Sequence, residues 1–380
     1  MITKINSKVN KKLITFIFGT RPEAIKLAPI ILTFQKCQYF KIRLVSTGQH
    51  KEMLKQALDF FNLKEDLDLG IMKHSQTIDH ITTAVIKGLH EEFKNFCPNL
   101  VIVQGDTTSA MASALAAFYN KIPIVHVEAG LRTDNLLEPY PEEANRRIIS
   151  QIASLHCAPT EVSKNNLERS GVVGEILVTG NSIIDALKIV SKKTRKKKHL
   201  LHSINLKRNK IILATIHRRE NIGESLENIA DGFLKILEKN EKVYIFLPLH
   251  KNKSVREPLE KKFKSHPRII LSEPLNYIDL ISMLKVCEFV LTDSGGLQEE
   301  APSFGKPVLI LRDTTERPEG LTSGTSKLIG TNKNDIFKAA NELINNSKTY
   351  SLMAKSKNPF GDGKTSQRIL EACRNYLKNY

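Results

Sequence analysis

Closely spaced cysteines are missing from this chain. Its five, Cys37, Cys97, Cys157, Cys287 and Cys373, stand far apart, and no C-x-x-C occurs. A disulfide framework and a cysteine metal centre are therefore poor readings, and a reducing, cytoplasmic setting fits. No other metal signature replaces them: His126 with Glu128 two residues on is too little for zinc. G-x-S-x-G, Walker A and G-x-G-x-x-G are all lacking, so hydrolase, P-loop and dinucleotide readings have no motif to rest on. No apolar run approaches the ~18–20 residues that span a bilayer, so no membrane partner is expected. The first residues, MITKINSKVNKK, are basic, but the apolar stretch behind them is broken by Arg21, Glu23 and Lys26. That speaks against a signal peptide.

What remains is a long, mixed chain. Its 380 residues are 41% hydrophobic and 26% charged, the profile of a globular protein too long for one growing core. Two domains are the natural expectation. The net charge of +17 raises the question of nucleic acid. Residues 191–210 carry nine Lys/Arg and no acid, and residues 1–12 carry four lysines and no acid; without them only +4 is left. The charge belongs to a tail and a connector, not to a patterned face, and no specific nucleic-acid partner is expected.

Short apolar runs alternate with helical periods through both halves. Strands are expected at 13–18, 41–47, 100–104, 122–127, 155–158 and 175–178, then at 211–215, 242–247, 268–271, 288–292, 307–310 and 326–329. Helical patterns fill the intervals. This predicts an α/β fold of two doubly wound, Rossmann-like domains. The break falls at 186–210, where the lysine run reads as an exposed connector. The domains are thus residues 1–185 and 186–363, with a last helix at 364–380 returning to the first domain to cover its apolar face. In such sheets ligands bind beyond the carboxyl ends of the strands.

Polar groups cluster at those ends. Residues 291–317, LTDSGGLQEEAPSFGKPVLILRDTTER, place Ser294, Gly295 and Gly296 between a strand and a helix, with Glu300 a turn later. N–H groups and helix dipole there suit an anion, and the carboxylates suit sugar hydroxyls. At the other end, Gly19-Thr20-Arg21-Pro22 leads from strand to helix, and Arg21 and Lys26 could face one anion. Asp106 follows the third expected strand and Glu128 the fourth. They could form a repelling carboxylate pair, although Asp106 could equally cap the next helix. Glu142 and Glu143 open another helix, where the dipole favours one of them on structural grounds alone. His217, directly after a strand, is the histidine placed best for chemistry.

Together these segments resemble the non-hydrolysing UDP-N-acetylglucosamine 2-epimerases. The matching stretches are FGTRPEAIKLAP, TGQHKEML, GDTTSA, HVEAGLRT, EPYPEEANRR, TGNSIIDA, HRREN, TDSGGLQEEAPSFGKPVL and RDTTERPE, spread over roughly residues 13–375. The resemblance implies a GT-B-like pair of domains with the active site in the cleft between them. It also implies interconversion of UDP-GlcNAc and UDP-ManNAc with no cofactor and no metal, in a homodimer. By the resemblance Asp106, Glu128, Glu142 and His217 are catalytic, and Arg21, Lys26, Ser294, Gly295, Gly296, Glu300 and Arg317 hold the UDP-sugar. The implied route is elimination of UDP to 2-acetamidoglucal and its return, with protonation on the other face of C2. Some members are activated by their own substrate at a second site. Gln49, His50, Gln76, Arg218 and His250, with Glu142, match that allosteric site, whereas Ser75 and Glu52 replace an expected Arg and Gln. Weak or altered activation is therefore expected. A glycosyltransferase, which would need an acceptor, and a nucleotide-sugar sensor without turnover are the alternatives.

Overall fold

The computed structural model describes residues 11–49, 51–73, 76–133, 135–193 and 204–379. His50 and Ser75 lie outside them, as does most of the lysine run. The chain divides into two compact units, Met1–Ala186 with Gly361–Tyr380, and Leu187–Phe360.

The first unit holds a seven-stranded sheet in the order β3-β2-β1-β4-β5-β6-β7. Its strands are β1 (Lys12–Phe18), β2 (Phe40–Ser46), β3 (Leu67–Asp68), β4 (Leu100–Gln104), β5 (Ile124–Val127), β6 (Leu155–Ala158) and β7 (Glu175–Val178). Every pairing is parallel. β4 and β5 are buried throughout, the signature of a sheet covered on both faces. Ile17, Val45, Val101, Val103 and Ile124 pack with Val85, Leu89 and Phe93 of the helix Ile78–Asn95 on one side. The helix Thr365–Tyr376 packs against the helix Arg21–Gln35. The first two N–H groups of the former donate to Asp185, which is buried.

The second unit repeats the plan with six strands in the order β10-β9-β8-β11-β12-β13. They are β8 (Lys210–Thr215), β9 (Val243–Pro248), β10 (Ile269–Ser272), β11 (Phe289–Thr292), β12 (Val308–Ile310) and β13 (Ser326–Leu328), again all parallel. Phe233, Ile236 and Leu237 of the helix Glu224–Lys239 and Phe263 of Lys253–Phe263 fill its core with Ile212, Ile245 and Leu291.

Both sheets reverse their strand order at one place, between β1 and β4 and between β8 and β11. Connections leave these neighbours in opposite directions, so a crevice opens beyond their carboxyl ends. The doubly wound α/β architecture expected from the alternation is what each unit has. One local expectation fails. Residues 186–193, read as connector, belong to the helix Ser182–Lys193, whose Ile183, Ile184, Leu187 and Val190 are buried at helical spacing. No helix among the described residues is long and apolar enough to cross a membrane.

Candidate active site

In the first unit, the turn after β1 is built around a buried carboxylate. Glu23 accepts from the N–H of Gly19 at 3.1 Å and of Thr20 at 2.7 Å, and from the Thr107 hydroxyl at 2.9 Å. Burial raises its pKa, and these hydrogen bonds work against that rise. A side chain at Gly19 would place its Cβ 2.2 Å from Thr47 Oγ1 and 2.8 Å from Ser109 Oγ, so glycine is required by close approach. Ser109 Oγ in turn donates to Gln49 Oε1 at 2.8 Å.

One helical turn on, Lys26 reaches across to β5. Its Nζ lies 2.6 Å from each carboxylate oxygen of Glu128, which also accepts from Gln104 Nε2. Glu128 sits at φ 64°, a left-handed conformation that costs a non-glycine residue on the order of 1 kcal/mol and marks functional turns. Asp106, after β4, accepts from Arg146 Nε at 2.8 Å and Nη2 at 2.7 Å, and Asn145 Nδ2 holds its carbonyl at 2.8 Å. The cap of the following helix is Thr107, not Asp106. Each of the two carboxylates thus has its own cation.

The paired acids at the start of the helix Glu142–Ile152 divide their roles. Glu143, wholly buried, accepts from Thr133 N, Arg146 Nη1 and Arg147 Nε. It ties the Pro-rich loop to the helix. Glu142 Oε2 is buried with no hydrogen-bond partner among the described residues, the state of an acceptor left for something else. His126, also buried, donates from Nε2 to Gly105 O at 2.8 Å, and burial pushes its pKa down to about 3. Its strand neighbour His156 is likewise brought down to about 4.

In the second unit, β8 and β11 end side by side. Thr215 Oγ1 and Thr292 Oγ1 are 2.6 Å apart, and β11 continues into Asp293, Ser294 and the helix Gly295–Glu300. Asp293 is fully buried and gathers the loop after β8: His217 N and Arg218 N each donate to Oδ2 at 2.9 Å, Asn221 Nδ2 at 3.0 Å, and His217 Nδ1 meets Oδ1 at 2.9 Å. Burial alone would raise the Asp293 carboxyl, but the His217 ring and the N–H donors bring it below the ordinary value. His250, the next strand end over, lies with its ring centre 5.9 Å from that of His217. Burial, then His217, lower its pKa.

Arg317 lies against the helix start: a Cβ at Gly295 would come within 2.5 Å of its Nη1. Its Nε is held by Glu299 Oε1 at 2.6 Å. Ser294, Gly295 and Gly296 form that end, and Glu300 closes the helix at the other. Nearby, burial would raise the Glu316 carboxyl, yet Arg312 and Arg317 bring it down to about 2.

The structure therefore brings Lys26 to Glu128, at the strand ends that carry Asp106, in the first unit. In the second it gathers His217 with His250 and Gly295 with Arg317; Ser294 and Gly296 flank Gly295, and Glu300 ends that helix. Arg21 lies at the first turn of its helix, and Gln76 accepts from Lys73 N at 3.4 Å. Arg146, Gln104 and Asp293 were not singled out from the sequence. Only Asp293, next to Ser294 at a strand end, carried a usable signal. Among the described residues no group of three or more His, Cys, Asp or Glu is placed to hold a metal ion.

Carboxylates paired with cations, and a strand-to-helix turn at a switch point, are the features of a two-domain α/β enzyme. The family described as UDP-N-acetylglucosamine 2-epimerase matches residues 33–374. The UDP-N-acetylglucosamine 2-epimerase of Neisseria meningitidis is 45% identical over 369 residues, 96% of this chain and 98% of that protein. The one of Bacillus subtilis is 46% identical over 358 residues, 93% of each. A crystal structure of the Neisseria meningitidis UDP-GlcNAc 2-epimerase bound to UDP-GlcNAc superposes with a TM-score of 0.90 at 44% identity, over 96% of this chain and 100% of that one. The chain belongs to the UDP-N-acetylglucosamine 2-epimerase family, and it is an enzyme.

Proposed function

We propose that the chain interconverts UDP-N-acetylglucosamine and UDP-N-acetylmannosamine by eliminating UDP across C1–C2 and adding it back to 2-acetamidoglucal. C2 is not acidic enough for simple deprotonation, so loss of the C2 proton is coupled to departure of UDP from C1. Inversion needs proton donors or acceptors on both faces of C2, and Asp106, Glu128 and Glu142 are the groups proposed for that work. Asp106 and Glu128 are oriented by Arg146 and by Lys26 with Gln104. The observation that carries the reading is Glu142: a buried carboxylate oxygen without a partner among the described residues, beside Asp106 and Glu128, each paired with a cation.

Ser294, Gly295, Gly296 and Glu300, with Arg317, Arg21 and His217, are proposed to hold UDP and to meet the negative charge it gains on leaving. The route uses no cofactor. Gln49, Gln76, Arg218 and His250, with His50, are proposed as remnants of a second substrate site. The product would serve surface polysaccharide synthesis in the cytoplasm, and a homodimer is the expected assembly.

The deciding experiment is incubation with UDP-GlcNAc alone in D2O, followed by NMR. UDP-ManNAc carrying deuterium at C2 is expected, with traces of UDP and 2-acetamidoglucal on long incubation. Full retention of the original C2 hydrogen with turnover intact would reject elimination. A requirement for an acceptor would reject epimerisation.

A further inference from the structure

We propose that Asp293 is the positioning residue of His217: it holds the imidazole with Nδ1–H turned inward and so turns Nε2 outward, where, once protonated, it donates to the diphosphate. The inference rests on the reading of the second unit as the UDP end.

Four donors converge on the Asp293 carboxylate. Two are backbone N–H groups of the loop after β8, one is the Asn221 amide, and one is the His217 ring. Asn221 also donates to Leu311 O at 3.2 Å, which pins the arrangement to the end of β12. Asp293 is wholly buried, while the His217 side chain is 35% exposed. A carboxylate is an acceptor only, so the ring nitrogen facing it carries the proton. The nitrogen on the open side is then Nε2. The same residue that fixes the ring precedes the helix Gly295–Glu300 by two positions. A single buried anion thereby sets both the direction of the imidazole and its distance from the helix N-terminus. The arrangement is that of a ring oriented by a second group behind it, with the buried carboxylate on one side and the nucleotide on the other. An amide at position 293 cannot do this equally well. It has one oxygen for four donors, and its own N–H groups would face one of them.

The test has two arms. In the full chain labelled with 15N-histidine, at a pH where the ring is neutral, NMR reads which nitrogen is protonated, and His217→Asn identifies the signals. An Nδ1–H tautomer is expected; an Nε2–H tautomer would overturn the proposal, whether or not the chain epimerises anything. The second arm is a double-mutant cycle on UDP-GlcNAc turnover. Asp293→Asn is expected to lower kcat by about 10²-fold, with KM changed only a few-fold, and to add nothing in the His217→Asn background. A merely structural role would give losses that multiply, and that result would also overturn it. Should Asp293→Asn fail to fold, the tautomer measured in the unaltered chain decides.

Discussion

Lys26 Nζ lies 2.6 Å from both carboxylate oxygens of Glu128, bridging the helix after β1 to the turn after β5. The side chains are only 14% and 6% exposed. Such a pair fixes a carboxylate's direction, and removing one partner leaves the other charge buried. Lys26→Met should therefore cost ~3–5 kcal/mol in chemical denaturation and lower kcat by at least ~10²-fold. Lys26→Met/Glu128→Gln should recover most of that stability and none of the turnover. Near-normal activity in Glu128→Gln would remove this residue from the mechanism.

Arg146 grips Asp106 through Nε and Nη2, while its Nη1 bonds Glu143. Lysine cannot reproduce that fork. Arg146→Lys is expected to reduce kcat by about tenfold or more and to leave UDP affinity, measured by calorimetry, within a factor of about two. A selective loss of UDP binding would mean that Asp106 and Arg146 serve the nucleotide.

Gly19→Ala should be disruptive out of proportion to its size. Thr47 and Ser109 would have to move away from a Cβ they meet at 2.2 and 2.8 Å. Overpacking of this sort costs ~1–3 kcal/mol. The Arg21 end of the turn would shift with it, so KM for UDP-GlcNAc should rise. Unchanged stability and kinetics would show that the turn is plastic.

The buried histidines predict the acid side of the stability curve. His126 and His156 have folded pKa values near about 3 and about 4, below the ordinary 6.5. Below pH 6.5 the unfolded chain binds protons that the folded chain refuses, so stability falls as pH falls toward those values. Each histidine contributes a slope of up to about 1.4 kcal/mol per pH unit. Denaturation curves for His126→Gln between pH 6 and 4.5 should be flatter by about that amount. An unchanged slope would mean that the ring is solvated.

UDP should protect the chain by mass action, by ~2.7 kcal/mol at a hundred times its dissociation constant. Gly295→Ala should reduce that protection, because the methyl group would displace Arg317 from the helix start. Equal protection of the variant would place the diphosphate elsewhere.

Much of this architecture was legible in the sequence, for a physical reason. Strands buried on both faces read as unbroken apolar runs, and β4, LVIVQ, is the clearest. β3 has two residues and left no run to read. The helix Ser182–Lys193 was less legible because the basic run begins within its last turn, though its apolar spacing was present. For the site, residues at strand ends were readable one by one. Their partners were not, since Arg146 meets Asp106 across 40 residues and Asp293 meets His217 across 76. Those meetings depend on β4 lying beside β5 and β8 beside β11, which motif spacing does not encode.

The helix Thr365–Tyr376, lying on the helix Arg21–Gln35 and tethered to Asp185, bears on how the protein is made. One unit is contiguous in sequence; the other is interrupted by it. A ribosome delivers all of Leu187–Phe360 before it delivers the segment that covers the first unit. The unit begun first thus receives the helix that covers Arg21–Gln35 only after the whole of the other unit has been made.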